Sequence, residues 1–336
     1  MSITAKELAA LLGLSESAIS LALNNKPGVS VQTRRRVLKA AEEHGYDFAK
    51  RNPQADYAPI GSIYFIIYRK DGAVVTDTPF FSELSEGIDL ECKRLQYFLN
   101  IQYVYEDEKI DETLHMLSRI GVKGLIVLGT EMEKEDIRPF CKCGIPFVLL
   151  DNYFEELDID CVLINNKKGA YTAADHLIRN RKKQPGYLHS SYSINNFEER
   201  ADGFYKAIRR HGMSTSRSIV HLLTPSAEGA YSDMLELIRQ GEPLADCYFA
   251  DNDLIAAGAI RAFRESGYRI PQDIAVIGFD NMPVCTYLDP TLTTIHVPKA
   301  DLGKMAVRRL QDRIMNPECP PAKTEISTVL IKRKST

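Results

Sequence analysis

From Ile60 onward the chain alternates short apolar runs with amphipathic stretches, and this alternation constrains the fold more than any other feature. IYFIIY reads as a buried strand, and FFSELSEGIDLECKRLQYF as a helix with Leu84, Ile88 and Leu95 on one side. A second strand follows near Leu99 to Val104, and HMLSRIGVKGLIVLG, IPFVLLD and CVLIN then give a helix and strands. After Lys167 the order repeats: helix AYTAADHLI, strand GYLHS, helix ERADGFYKAIRRHG, strand SIVHLL, a helix, strand CYFA, helix AAGAIRAFRESG and strand IAVIGF. Regular β-α alternation builds parallel sheets covered by helices on both faces. The run is long for one sheet and fits two similar doubly wound lobes better. Ligands of such sheets bind beyond the carboxyl ends of the strands, so two lobes facing each other there enclose a cleft.

A chain of 336 residues predicts two or three domains. With 44% hydrophobic and 26% charged residues it falls in the globular class, not the disordered one. No apolar run approaches the ~20 residues of a membrane span, and the start MSITAKELAA does not read as a secretory signal. The seven cysteines are scattered and read as reduced thiols of a cytoplasmic protein. Cys141 and Cys143 form a C-x-C pair that no second pair or nearby histidine completes, so neither metal nor cofactor is expected. Residues 1–52 hold eight basic and five acidic residues, a net +3, against −6 for the rest. A positive head on a negative body fits a head that meets phosphate.

Three short helices are legible in that head. Thr4 to Glu7 is a T-x-x-E capping box, followed by an apolar face of Leu8, Leu11 and Leu12, with Gly13 making the turn. Ser15 caps a second helix with Ile19, Ala22 and Leu23 inward. NNKPGV is a loop, and Ser30 caps a third helix through Val37, Leu38 and Ala41 to about His44, stopped by Gly45. Helix, short turn with glycine, then helix is the helix-turn-helix arrangement, although any small three-helix bundle shares its spacing.

The string LAALLGLSESAISLALNNKPGVSVQTRRRVLKAAEEHGY closely resembles the DNA-binding head of the LacI/GalR (lactose-repressor-like) family. The resemblance implies that Ser15, Ser20, Asn24, Ser30 and Thr33 contact phosphates. Short hydroxyls, amides and helix N-termini suit that task, and helix capping is compatible with it. By the same resemblance Glu16, Ser17 and Leu21 read bases. Leu21 stands where the family has an arginine, so apolar contact with a thymine methyl replaces a bidentate pair with guanine. Glu16 can accept from cytosine but repels phosphate. An unusual operator or weaker discrimination is expected.

In the family a hinge helix follows the head and wedges a leucine into the minor groove. The linker DFAKRNPQADYAP has no leucine between Asp47 and Pro59, and Pro53 disfavours helix at Asn52. Lys50 and Arg51 remain available to the backbone. Less bending of the site than in the family is expected.

The body also resembles the LacI/GalR effector domain, which has the type I periplasmic-binding-protein fold. PFFSELSEGID, GLIVLG, IPFVLLDN, NFEERADGF, FADNDLIAAGAI, DIAVIGFDN and PTLTTIHVP carry the likeness, which covers nearly all of 60–332. It implies a helix-turn-helix domain over 1–46, a linker over 47–59 and an effector-binding and dimerisation domain over 60–332. Lobe one takes about 60–164 and 295–323, lobe two about 165–293 and 325–332. Crossings are expected near Asn165, Thr294 and Lys323 to Ser327.

Asp151 and Asp280 follow apolar strands, and Asn252 and Asp253 follow YFA, so all four sit at strand carboxyl ends. Arg200 matches the family's ligand-binding arginine and Tyr231 a stacking aromatic, while Phe80 and Phe81 open the first helix of the first lobe. Carboxylate, amide, guanidinium and aromatic groups suit a sugar, a sugar derivative or a nucleobase. Asp253 has a competing reading as a helix cap, Phe80 as core, and Asp280 and Arg200 as each other's partner.

No Walker loop, G-x-G-x-x-G after a strand, G-x-S-x-G elbow or H-E-x-x-H is present, and His176 and His189 lie on an ordinary helix and strand, so an enzyme is not expected. The reading is a transcription regulator, a repressor, acting as a homodimer on a palindromic operator in double-stranded DNA with half-sites ~10 bp apart. A small-molecule effector sets its operator affinity. The alternative is a small-molecule sensor with a degenerate head, which salt-dependent retention on duplex DNA would distinguish.

Overall fold

The computed structural model describes residues 3–23, 29–46, 60–70, 72, 74–75, 79–108 and 110–336. It divides into two compact units, residues 1–59 and 60–336. Asn24 and the linker 47–59, with Lys50, Arg51 and Pro53, lie outside the described residues.

In the first unit α1 spans Ala5–Leu12, α2 Glu16–Leu23 and α3 Val31–Glu43. The capping box forms: Glu7 N–H donates to Thr4 Oγ1 at 3.3 Å, and Thr4 N–H to the Glu7 carboxylate at 2.7 Å. Gly13 adopts φ 64°, the left-handed state that glycine reaches without steric cost. Leu8, Ile19, Ala22, Val37 and Ala41 form the core. Leu11 and Leu38 do not join it. They are 52% and 38% exposed, because one small bundle buries a single stripe per helix.

The second unit continues with β1 (Gly61–Arg69), α4 (Pro79–Arg94), β2 (Tyr97–Tyr105), α5 (Ile110–Arg119), β3 (Gly124–Leu128), α6 (Lys134–Lys142), β4 (Phe147–Leu150) and β5 (Cys161–Ile164). Then come α7 (Asn166–Arg181), β6 (Gly186–Ser190), α8 (Asn195–Arg210), β7 (Val220–Leu223), α9 (Ala227–Arg239), β8 (Cys247–Ala250), α10 (Asp253–Glu265) and β9 (Ala275–Asp280). A short α11 (Val284–Tyr287), β10 (Thr293–His296), α12 (Lys299–Met315), β11 (Lys323–Ile326) and β12 (Val329–Ile331) complete it. The first sheet has the order β11-β5-β4-β3-β1-β2 and is parallel throughout. The second has the order β12-β10-β9-β8-β6-β7, with only β12 antiparallel.

Three local differences from the sequence reading have simple causes. Gln96, at φ 62°, ends α4 early, so Tyr97 and Phe98 already belong to β2. Helix α6 lies between β3 and β4, where its charged sequence KEDIRPFCK buries only Ile137 and Phe140 and gives a weak apolar signal. Crossing points also shift. Thr293–His296 stays paired with β9, so the chain leaves the second lobe after His296, not near Thr294. Lys323–Ile326 pairs along its whole length with β5, which confines the last crossing to Ser327 and Thr328.

Each sheet reverses its strand order beside a central strand, at β1/β3 in the first and β6/β8 in the second. Such switch points open a crevice at the strand carboxyl ends.

Candidate functional site

In the head, Ser15 Oγ accepts from Ala18 N–H at 3.1 Å, and Ser30 Oγ accepts from Thr33 N–H at 3.1 Å. Each cap is shared with a second hydroxyl: Ser15 with Ser17 at 2.9 Å and Ser30 with Thr33 at 2.8 Å. Two helix N-termini therefore present paired hydroxyls, the chemistry that holds phosphate oxygens. Glu16 and Ser17 are exposed on the first turn of α2, where a carboxylate also suits the helix dipole. Ser17, Ser20 and Leu21 fall three and four residues apart and share a face of α2. Leu21 is half-buried there.

In the body, a cavity of about 110 Å³ is lined from both lobes at the strand carboxyl ends. Six of the eight sequence candidates reach it: Phe80, Phe81, Asp151, Arg200, Asn252 and Asp280. Phe80 and Phe81 sit on the first turn of α4 with ring centroids 5.0 Å apart, edge to face. Asp151 follows β4 at φ 64° and Asp280 ends β9 at φ 105°. Both are left-handed positions costly for a residue with a Cβ, and such strain concentrates at functional sites.

Asp151 is buried and accepts from Thr130 Oγ1 at 2.7 Å and from Asn196 Nδ2 at 3.0 Å. Burial pushes its carboxyl up to about 6, against the downward pull of the Thr130 hydrogen bond and the Arg200 charge. Burial raises Asp280 as well, opposed first by Arg200. Arg200 donates through Nε to Asn166 Oδ1 at 2.9 Å, through Nη1 to the Asp251 carbonyl, and through Nη2 to Asp280 at 3.4 Å. Its guanidinium lies 3.8 Å from the Phe279 ring centroid. The Asp251 carboxylate is fixed in turn by Tyr187 Oη, by His189 Nδ1 at 2.7 Å and by Ser190 N–H at 2.7 Å. Arg200 is thus locked from behind before any ligand arrives. Asn252 caps α10 through Oδ1, which leaves its Nδ2 donors unused by the cap.

Two candidates lie elsewhere. Tyr231 donates to Glu265 at 2.6 Å and carries Arg261 over its ring at 3.8 Å, on the outer side of α9 and α10. Its position on α9 points it away from the cleft, whereas Ser226, the cap of that helix, faces in. Asp253 is fully buried but braces the strand ends around it, accepting from the Thr294 side-chain hydroxyl at 2.6 Å and from Met282 N–H at 2.7 Å. It is not the cap of α10 either, since Asn252 takes that role.

The sequence reading missed Thr130, Asn196, Phe197 and Ser226. Thr130 follows β3 as Asp151 follows β4, so the strand-end rule could have found it. Asn196 precedes Arg200 by one helical turn on the same face. A larger open groove of about 1020 Å³ runs beside the cavity and shares Thr130 and Ile194 with it. Its buried polar side chains are already engaged: Glu131 accepts from the Val74 and Val75 N–H groups, Asn152 donates to the Gly129 and Met132 carbonyls, and Glu199 accepts from Tyr153 Oη.

Residues 4–47 match the family model of bacterial regulatory proteins of the lacI family, and residues 174–336 that of a periplasmic binding protein-like domain. The HTH-type transcriptional repressor PurR of Mannheimia succiniciproducens is 32% identical over 99% of this chain and 98% of its own length. The HTH-type transcriptional regulator GalS of Salmonella typhimurium is 32% identical over 90% and 88%. Among solved structures, a LacI family transcriptional regulator from Enterococcus faecium with bound ribose superposes with a TM-score of 0.70 at 29% identity, over 81% of this chain and 98% of that one. The chain therefore belongs to the lacI family of bacterial regulatory proteins and is a helix-turn-helix, DNA-binding transcription regulator.

Proposed function

We propose that this regulator is a repressor whose operator affinity is set by a monosaccharide-sized polyhydroxylated effector held between its lobes. One observation carries the reading: Asp151 from one lobe and Asp280, Arg200 and Asn252 from the other line a single cavity. Sugar hydroxyls are donors and acceptors at once. Two carboxylates supply acceptors, while Arg200 and Asn252 supply donors. Phe80, Phe81 and Phe197 offer faces for the C–H side of a ring. At about 110 Å³ the space falls below the ~300–1,000 Å³ of drug-sized sites and favours a monosaccharide over a larger glycan. The ribose bound in the Enterococcus faecium relative points the same way. The hydroxyls that line the space, Thr130 and Ser226, serve as a hydrogen-bond donor and a helix cap, which suits binding and not catalysis.

The working unit we propose is a homodimer. Edge strands β2 and β7 close the corresponding ends of the two sheets and leave Phe98 (61% exposed), Ile101 and Leu222 (61%) uncovered within the chain. Paired heads then read an inverted repeat.

The test is a thermal-shift screen of pentoses and hexoses beginning with D-ribose, followed by calorimetry and an operator gel shift. A stabilising sugar that changes operator affinity, and that Asp280→Ala no longer binds, is the expected result. A full panel with no shift in melting temperature rejects the reading.

A further inference from the structure

Where the chain passes from β5 into α7, a second groove of about 900 Å³ opens outside the effector cavity. Its cationic lining comes from two helices: Lys167 and Lys168 on the first turn of α7, and Lys206, Arg209 and Arg210 near the end of α8. The half-buried Tyr171 adds an aromatic wall. Two carboxylates also face the groove, and both are already engaged. Glu199 accepts from Tyr153 Oη at 2.9 Å and from Asn166 Nδ2 at 3.3 Å, with Lys167 Nζ at 3.8 Å. Glu325 accepts from Asn165 Nδ2 at 2.8 Å and has Lys323 Nζ at 3.7 Å. Lys167 is further held by Asp202 at 3.1 Å.

Lys168, Lys206, Arg209 and Arg210 make no ion pair among the described residues. Arg209 and Arg210 have a local reason to be there, since cations suit the negative end of α8. Lys168 has none. It stands at the positive end of α7, whose first turn carries no acid, and so works against the helix dipole. Lys206 lies just before the last turn of α8, and the dipole's pull is confined to that turn. A concavity that gathers uncompensated cations while its acids are satisfied internally raises the local concentration of anions.

We propose that this groove is a second ligand site, taking a phosphate-bearing small molecule: its anionic group between Lys168, Lys206 and Arg210, its remainder against Tyr171. The site is separate from the effector cavity. It is built at the crossing, with Asn165 and Glu325 joining the α7 cap to the first sheet. Arginine and lysine together provide forked and point-charge donors for phosphate oxygens.

Calorimetry on the full chain with inorganic pyrophosphate, in chloride buffer of about 0.1 M ionic strength, tests this. Saturable binding is expected for the wild type. It should weaken roughly tenfold or more, about 1.4 kcal/mol, in the double variant Lys206→Ala/Arg210→Ala. Both side chains are exposed, so an unchanged melting temperature will show that the variant folds. Asp280→Ala, altered in the effector cavity, and Arg239→Ala, an exposed cation on α9, should bind pyrophosphate as the wild type does. Absence of saturable binding overturns the proposal, as does equal affinity in the double variant or loss in Asp280→Ala. Binding of duplex DNA, but not pyrophosphate, through Lys206 and Arg210 overturns it too and makes the groove a nucleic-acid surface.

Discussion

Asn196 of the second lobe donates from Nδ2 to the Asp151 carboxylate of the first at 3.0 Å, and to the Asp151 carbonyl at 3.3 Å. The lobes therefore meet through residues that line the proposed effector cavity. Tyr153 Oη reinforces this clasp by donating to Glu199 at 2.9 Å.

Asn196→Ala weakens the clasp, which Tyr153–Glu199 still holds, and leaves Asp151 with Thr130 alone as a side-chain partner. A hydrogen bond to a charged group contributes ~1.5–3 kcal/mol, so affinity for the effector sugar should fall tenfold or more. Small-angle scattering on the unliganded variant should show a larger radius of gyration. An unchanged radius and affinity would mean that the contact is incidental.

Stability should decline between weakly acidic and neutral pH. Burial raises Asp253 from 3.8 to about 7. The folded state therefore holds this proton more tightly than the unfolded state. Its stabilising contribution is full below about pH 4 and lost as pH rises through about 7. Asp253→Asn, which cannot titrate, should flatten the slope of urea-unfolding free energy over that window. An identical slope in the variant would rule out this residue as its source.

Leu21→Arg should redirect base reading. An arginine reaching out from this half-buried position of α2 can pair bidentately with guanine, for ~1–3 kcal/mol of discrimination. Selection from a randomised half-site library should then enrich guanine at one position where the wild type shows no such preference. Identical enriched sequences for both proteins would place Leu21 outside the reading face.

Gly87→Ala should destabilise the body. A Cβ there would come within 2.1 Å of the Ala300 carbonyl oxygen, so α4 and α12 would have to separate. Overpacking a tight core costs about 1–3 kcal/mol, and a backbone obstacle gives less way than a side chain. Chemical denaturation measures the loss, and wild-type stability would show that the helices yield freely.

Phe98→Asp combined with Leu222→Asp should give a monomer by sedimentation velocity, since each places a charge on an exposed apolar edge strand. A dimer that persists assigns the interface to another face.

Much of this architecture is legible in the sequence because strand runs buried on both faces, such as GLIVL and CYFA, are apolar throughout, and the switch-point rule then points to the crevice at the strand carboxyl ends. Asp151 and Asp280 could be placed at the cavity because each directly follows such a run, and Asn252 because it stands one residue beyond CYFA. Tyr231 could not, because one helical position decides whether a side chain faces the cleft or Glu265. Asp253 misled for a related reason: a strand-end carboxylate can brace Thr294 and Met282 as readily as meet a ligand. Leu11 and Leu38 show the limit of periodicity in a small head, where the core takes fewer apolar residues than the pattern offers.

The three crossings have a consequence for how the protein is made. Neither lobe is a continuous stretch of chain. The first sheet is finished only when Lys323–Ile326, which follows α12 in the chain, joins β5. On the ribosome, then, the N-terminal lobe cannot mature first and wait for the other. It must stay an incomplete sheet with an open edge until Ile326 has emerged, so nascent chains stalled before residue 323 should depend most heavily on chaperones.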